Sequence, residues 1–201
     1  MKIALIQDEI YLPTFGGGTK ANRYLLEDLA RNGHECVAYT RALTSSSDGP
    51  NDMAQFHDEV SAHGAIVQEA EPGVFSYQHE GVRVEALNFA DVDEQRDCRV
   101  RRIQAMNPDW VFVTDDKRRF MLLAAMEAYP SRVILLLQTI VQLPFGPLSV
   151  DKSEEYTELI RRARAIVVIS EFMQRYIRDY GALEAHLLPM PVYGPGPFPD
   201  L

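Results

Sequence analysis

Lys2-Ile3-Ala4-Leu5-Ile6-Gln7-Asp8 opens the chain, and Gly16-Gly17-Gly18 follows shortly after it. Ile3 to Ile6 is a short unbroken apolar run, the pattern of a strand buried on both faces. Beyond Gly18, Ala21, Tyr24, Leu25 and Leu29 recur at helical spacing, and Arg31-Asn32-Gly33 supplies a C-terminal stop. A buried strand that feeds a glycine loop and a helix start places unpaired backbone N–H groups around one point. Such an arrangement attracts a phosphate or a carboxylate.

Strand and helix alternate outward from this unit. Glu35–Thr40 reads as a second strand close behind the helix, which implies a parallel crossover. Residues 41–74 are polar and irregular, with a short helix predicted at Phe56–His63. Val74–Tyr77 and Val82–Leu87 flank Gln78-His79-Glu80-Gly81 in hairpin fashion. A helix is expected over Asp91–Met106, stopped by Asn107-Pro108, and then a buried strand over Trp110–Thr114. Arg118–Tyr129 reads as a helix and Val133–Leu137 as a strand. A charged helix, Glu154–Arg164, leads to a strand at Ala165–Ile169. Glu171–Tyr180 is a helix closed by Gly181, and Ala185–Leu188 a last short strand. The fold class is therefore α/β: a doubly wound, mostly parallel sheet with helices on both faces. One domain is expected over residues 1–188. From Pro189 to Pro199 five of eleven residues are proline and two are glycine, so residues 189–201 read as an extended connector.

The 201 residues suffice for one well-buried α/β domain; 46% are hydrophobic and 24% charged, an ordinary soluble composition. No apolar run nears the roughly 18 residues that cross a bilayer. No signal-peptide pattern follows Lys2, and a cytoplasmic location is expected. With 29 acidic against 20 basic residues the net charge is −9, which disfavours nonspecific nucleic-acid binding. A locally built nest of N–H groups can still hold a nucleotide on an acidic protein. No basic amphipathic helix argues for membrane contact. Cys36 and Cys98, with 61 residues between them, have no metal or redox spacing and read as reduced thiols.

Open α/β sheets bind ligands beyond the carboxyl ends of their strands. That rule selects Asp8 and Glu9, then Gly16, Gly17, Gly18 and Thr19. Farther along it selects Arg41, Thr114 with Asp115, Asp116 and Lys117, Gln138 with Thr139, and Ser170 with Glu171. Each has a plainer role to set beside the functional one. Ser170 fits the N-cap of the helix after it, with Glu171 in the first turn. Asp115 and Asp116 are either a solvated helix start or carboxylates that accept hydroxyl hydrogens from a sugar. Gln138 is either a polar pocket wall or a loop brace. His34 lies at the opposite end of the sheet and reads as structural.

No complete catalytic set stands out, and neither a Gly-x-Ser-x-Gly elbow nor a P-loop occurs. Zinc-type His or Cys spacings are absent, so no metal is expected. The dinucleotide pattern Gly-x-Gly-x-x-Gly fails at Gly16-Gly17-Gly18-Thr19-Lys20-Ala21. Arg41 stands where an acidic ribose ligand would close the second strand, which leaves an NADP reading open. A stand-alone binding or regulatory module of the same fold is the other alternative.

Several of these segments together resemble the N-terminal half of a family 4 glycosyltransferase of the GT-B type. They are Lys2-Ile-Ala-Leu-Ile6, Gly16-Gly-Gly-Thr19 and the helix end Asp28-Leu-Ala-Arg-Asn-Gly-His-Glu35. Pro108-Asp-Trp-Val-Phe-Val113, Ala165-Ile-Val-Val-Ile-Ser-Glu-Phe-Met173 and Leu187-Leu-Pro-Met-Pro-Val-Tyr193 complete the match. The resemblance implies two Rossmann-like domains across a cleft, the N-terminal one binding the acceptor and the C-terminal one most of the donor. It implies a nucleotide-sugar as co-substrate, a sugar or other hydroxyl acceptor, no metal or further cofactor, and retention at the anomeric carbon. Gly16, Gly17 and Gly18 would then approach the donor's phosphates or sugar. Asp8, Asp115, Asp116, Gln138 and Thr139 become candidates for acceptor hydroxyls. Relatives often carry a His where this chain has Gln138-Thr139. The half present is expected to be inactive without a C-terminal donor domain.

Overall fold

The computed structural model describes residues 1–44, 49–114 and 119–189. The expectations placed on Asp115, Asp116, Lys117 and all of the connector except Pro189 fall outside the described residues.

The unit that opens the sequence forms as expected. Strand β1 (Lys2–Ile6) leads to helix α1 (Gly17–Arg31), which returns to strand β2 (Glu35–Arg41). The helix starts earlier than expected, at Gly17 rather than beyond Gly18, because Gly16 turns the chain at φ 79°, a conformation that a Cβ would oppose. Helix α2 (Met53–Ala62) follows, then an antiparallel set of β3 (Gln68–Glu71), β4 (Val74–His79) and β5 (Val82–Leu87). The rest alternates: α3 (Val92–Met106), β6 (Trp110–Thr114), α4 (Phe120–Ala128), β7 (Val133–Leu137), α5 (Glu154–Arg161), β8 (Ala165–Val168), α6 (Glu171–Gly181) and β9 (His186–Leu187).

The strands form one sheet in the order β3-β4-β5-β2-β1-β6-β7-β8-β9. All ladders from β5 through β9 are parallel; only the β3-β4-β5 meander runs antiparallel. Strand β3 was not anticipated, because Gln68-Glu69-Ala70-Glu71 shows no apolar alternation. It is an edge strand, largely exposed and paired only with β4. Acidic side chains there blunt an edge that could otherwise template further pairing.

Side-chain alternation on β1 decides the layers. Ile3 and Leu5 pack on one face with Leu26 of α1 and Phe56 and Val60 of α2. Ala4 and Ile6 pack on the other with residues of α3, α4, α5 and α6. Burial of such side chains on both faces, at about 1.5–3 kcal/mol each, holds the central strands. Helix α3 packs Val100, Ile103 and Met106 into the core and adds charge contacts: Arg102 pairs with Glu85 of β5, whose side chain is 3% exposed, and Arg101 pairs with Glu71. Both cysteines are buried free thiols, and burial pushes the Cys36 thiol up to about 11.

From β1 the chain steps to β2 on one side and later returns to β6 on the other. The order therefore reverses between β1 and β6, where an open α/β sheet leaves a crevice at its carboxyl end.

Candidate functional site

A cleft of about 260 Å³ lies at that switch point. Gln7, directly after β1, and Glu9 form one side; Gly18, Thr19 and Asn22 of α1 form another. Thr114 at the end of β6 and Gln138, Thr139 and Gln142 after β7 complete it. Gly18, Thr19 and Asn22 share a helix face through their three- and four-residue spacing.

Gly18 and Gln138 are fitted to each other. A Cβ added at Gly18 would overlap Gln138 Oε1 and come within 3.2 Å of its Cδ. The Gln138 side chain thus lies over the bare Cα, and its Nε2 donates to Asn22 Oδ1 at 2.6 Å. Gln138 is therefore both a pocket wall and a brace to α1. Gly17 differs, since a Cβ there meets nothing within 4 Å. Gly16 and Gly17 lie outside the cleft lining, Gly16 as the N-cap and Gly17 as the first helical residue.

The start of α1 has no side-chain cap and no acidic residue in its first turn. Helix geometry leaves the first amides without intrahelical acceptors, so they remain available to a ligand.

Gln7 is 1% exposed. Its Nε2 donates to the carbonyls of Glu9 and Ile10, at 3.5 Å each, while its Oε1 is enclosed without a donor. Gln142 Oε1 is likewise enclosed without a donor. An acceptor left in this state costs roughly 1–3 kcal/mol. Glu9 stands at the mouth, exposed overall but with its carboxyl partly shielded from solvent. Burial of its carboxyl is the main cause that raises its pKa above the ordinary value; the charge of Asp8 adds to this and Arg41 opposes it.

Of the residues selected from sequence, the structure brings Glu9, Gly18, Thr19, Thr114, Gln138 and Thr139 together. Asp8 is placed elsewhere: it faces Arg41 at 3.8 Å, in a small crevice beside α3 and α4. Its neighbour across β1 draws it there, because Arg41 ends the adjacent strand. Ser170 caps α6, its Oγ accepting from Met173 N at 3.2 Å, and Glu171 pairs with Arg175 at 3.3 Å. Those bonds occupy both side chains in the helix start, away from the cleft. His34 lies at the opposite edge, its Nδ1 3.4 Å from the Met1 amino group.

Gln7, Asn22 and Gln142 were missed by sequence reasoning. Gln7 had a signal, since it follows a buried strand directly. Asn22 sits inside a helix and Gln142 inside a loop, and only the packing of α1 against the segment after β7 joins them. Among the described residues no group of His, Cys, Asp and Glu is arranged to hold a metal ion. No helix among them is long and apolar enough to cross a membrane.

Against solved structures, the chain resembles sucrose-phosphate synthase from Thermosynechococcus elongatus, with TM-score 0.57 and 16% identity over 94% of this chain and 47% of that one. It also resembles the catalytic domain of starch synthase IV from Arabidopsis thaliana bound to ADP and acarbose, with TM-score 0.56 and 11% identity over 88% of this chain and 46% of that one. The fold is that of GT-B glycosyltransferases. The chain spans about half the length of each of these GT-B structures. No protein-family model matches it, and no curated protein does.

Proposed function

We propose that this chain is the N-terminal, acceptor-side half of a retaining, nucleotide-sugar-dependent glycosyltransferase of family 4. The observation that carries the reading is the cleft at the β1–β6 switch point, walled by the uncapped start of α1 and by Gln138 pressed onto Gly18. Open α/β sheets hold ligands at such a point, and a bare helix start favours the negative end of a donor. The GT-B fold, and the ADP and acarbose of one structural neighbour, support the same class of substrate.

In this reading residues 1–188 form the acceptor-side domain, and residues 189–201 lead toward a C-terminal domain that holds most of the donor. Gly16 and Gly17 stand at the outer lip near the donor phosphates. Glu9, Thr114, Gln138 and Thr139 face the sugar or the acceptor hydroxyl; Asp115 and Asp116 follow Thr114 directly. The chemistry needs no metal.

Magnitudes explain why half of the site is insufficient. A hydrogen bond to a charged group contributes about 1.5–3 kcal/mol net, and a helix terminus at most about 2 kcal/mol. Two or three such contacts barely reach the roughly 8 kcal/mol of micromolar binding before ordering costs are met. The test is an assay of the intact gene product and of residues 1–201 alone against a panel of nucleotide-sugars. Turnover by the intact product and none by the 201 residues is expected. Turnover of nothing by the intact product would refute the assignment.

A further inference from the structure

We infer that Tyr176 of α6 is a positioning residue: its hydroxyl clasps the segment between β7 and α5 and so holds the cleft wall which that segment carries. The inference rests on the proposed function and names the element on which that site leans. Residues 138–153 leave the sheet after β7, contribute Gln138, Thr139 and Gln142 to the cleft, and end at the start of α5. Their outer turn lies against α6. Tyr176 is 4% exposed; its Oη accepts from Leu148 N at 2.9 Å and donates to the Phe145 carbonyl at 3.1 Å. A phenolic hydroxyl does both at once, and a phenyl ring does neither.

The fit is shaped from both sides. Gly146 turns at φ 81°, and a Cβ there would stand 2.2 Å from the Tyr176 oxygen, so glycine alone lets the hydroxyl reach both backbone groups. The Phe145 ring lies over bare Gly181, where a Cβ would come within 2.6 Å of it, and stacks on Tyr176 with ring centroids 6.5 Å apart. The hold reaches the cleft through the backbone. Val150 N donates to the Val141 carbonyl at 3.2 Å, which ties the clasped arm to the residue beside Gln142. Leu143 N donates to the Ile140 carbonyl at 3.0 Å, and that turn encloses Gln142. At the far end, Ser153 Oγ accepts from Tyr156 N at 3.2 Å as the cap of α5, a bond that leaves the clasp untouched.

Without the clasp the wall is in place in only a fraction of molecules, and apparent affinity falls by that fraction while a saturating ligand restores the wall. Donor kinetics of the intact gene product over the nucleotide-sugar panel, UDP-glucose and ADP-glucose included, test this beside residue-resolved amide hydrogen exchange. Tyr176→Phe should raise donor KM roughly fivefold with kcat retained. It should also speed exchange at the amides of Thr139 to Gln142 and of Leu148, with α1 unchanged. Gly146→Ala, which breaks the clasp from the other side, should do the same. Ser153→Ala is the control: a general loss of folded protein lowers the amount of active enzyme and not its KM, so KM should stay at the wild-type value. An unchanged KM in Tyr176→Phe, or an equal rise in Ser153→Ala, would overturn the inference and leave the transferase reading intact. If the wild-type protein turns over no member of the panel, the transferase reading falls and exchange alone decides the clasp. Faster exchange at Thr139 to Gln142 in Tyr176→Phe and Gly146→Ala then upholds it, and unchanged exchange overturns it.

Discussion

The starts of α1 and α6 stand at the same edge of one sheet, with β6 and β7 between the strands that feed them, and they are finished in opposite ways. At α6, extended Ser170 closes the helix on itself through Oγ, and Glu171 offsets the dipole while it pairs with Arg175. At α1, Gly16 turns at positive φ, no side chain caps the first turn, and no acid neutralises it. One helix start is complete within the chain. The other is left open beside a cleft whose wall holds two enclosed, donor-free oxygens. A strand–loop–helix unit at the rim is therefore not a site by position alone; what matters is whether the chain satisfies its own amides.

The contrast continues on the buried faces. Helix α6 buries Met173, Tyr176 and Ile177. Helix α1 buries Glu27, with Arg23 Nε at 3.3 Å and His79 Nε2 of β4 at 3.7 Å. Only the second arrangement should respond to pH.

The largest effect is expected from Gly18→Val. The new side chain collides with Gln138 and breaks its bond to Asn22, which should lower transfer by the intact enzyme on the order of a hundredfold. Overpacking should also cost about 1–3 kcal/mol of stability. Steady-state kinetics near wild type would break the contrast between the two helix starts. Ser170→Ala should cost about 1 kcal/mol in urea unfolding while nucleotide-sugar affinity stays constant. A fall in affinity would place α6 in the site.

The pH response is expected to be smaller. His79 is held below its ordinary 6.5, first by burial and then by the charge of Arg23; His63 lowers it further and Glu80 opposes the shift. The unfolded chain therefore binds a proton that the folded chain resists, and stability should fall as pH drops from about 6.5 through the lowered value. Glu27, raised chiefly by burial against the charge of Arg23, acts in the opposite sense at more acidic pH. The decisive quantity is thus the difference between proteins. His79→Gln should lose less stability than wild type between pH 7 and 5.5, and equal losses would remove His79 as the cause. The smallest effect belongs to Gly17→Ala, whose Cβ enters open space. It should raise stability by about 0.4–1 kcal/mol and weaken nucleotide binding by no more than a few-fold, since the new methyl group stands where the donor phosphates are proposed to lie. Nucleotide binding unchanged within error would remove Gly17 from the phosphate lip.

Much of the fold was legible because its elements carry local patterns: the run Ile3–Ile6, the helical spacing of Ala21 to Leu29, the stop at Asn107-Pro108, the cap at Ser170. Strand β3 was not legible, since Gln68–Glu71 is polar and owes its conformation to pairing with β4. The site divides along the same line. The carboxyl-end rule selected Glu9, Gly18, Thr19, Thr114, Gln138 and Thr139, because strand ends can be located from periodicity. It selected Asp8 equally, because the direction of a side chain past a strand end has no local signature; Arg41 across the sheet settles it.

By itself, then, the sequence determined the alternation of strand and helix, the doubly wound class and the rim on which a ligand would sit. Each of those follows from hydrophobic period and turn chemistry within a few residues. Only the tertiary structure decided that Gly18 is the glycine pressed by Gln138 and that Asn22 and Gln142 belong to the cleft. These depend on contacts between residues more than a hundred positions apart, Gln138 with Asn22 and with Gly18, and such contacts are fixed by packing rather than by any local preference.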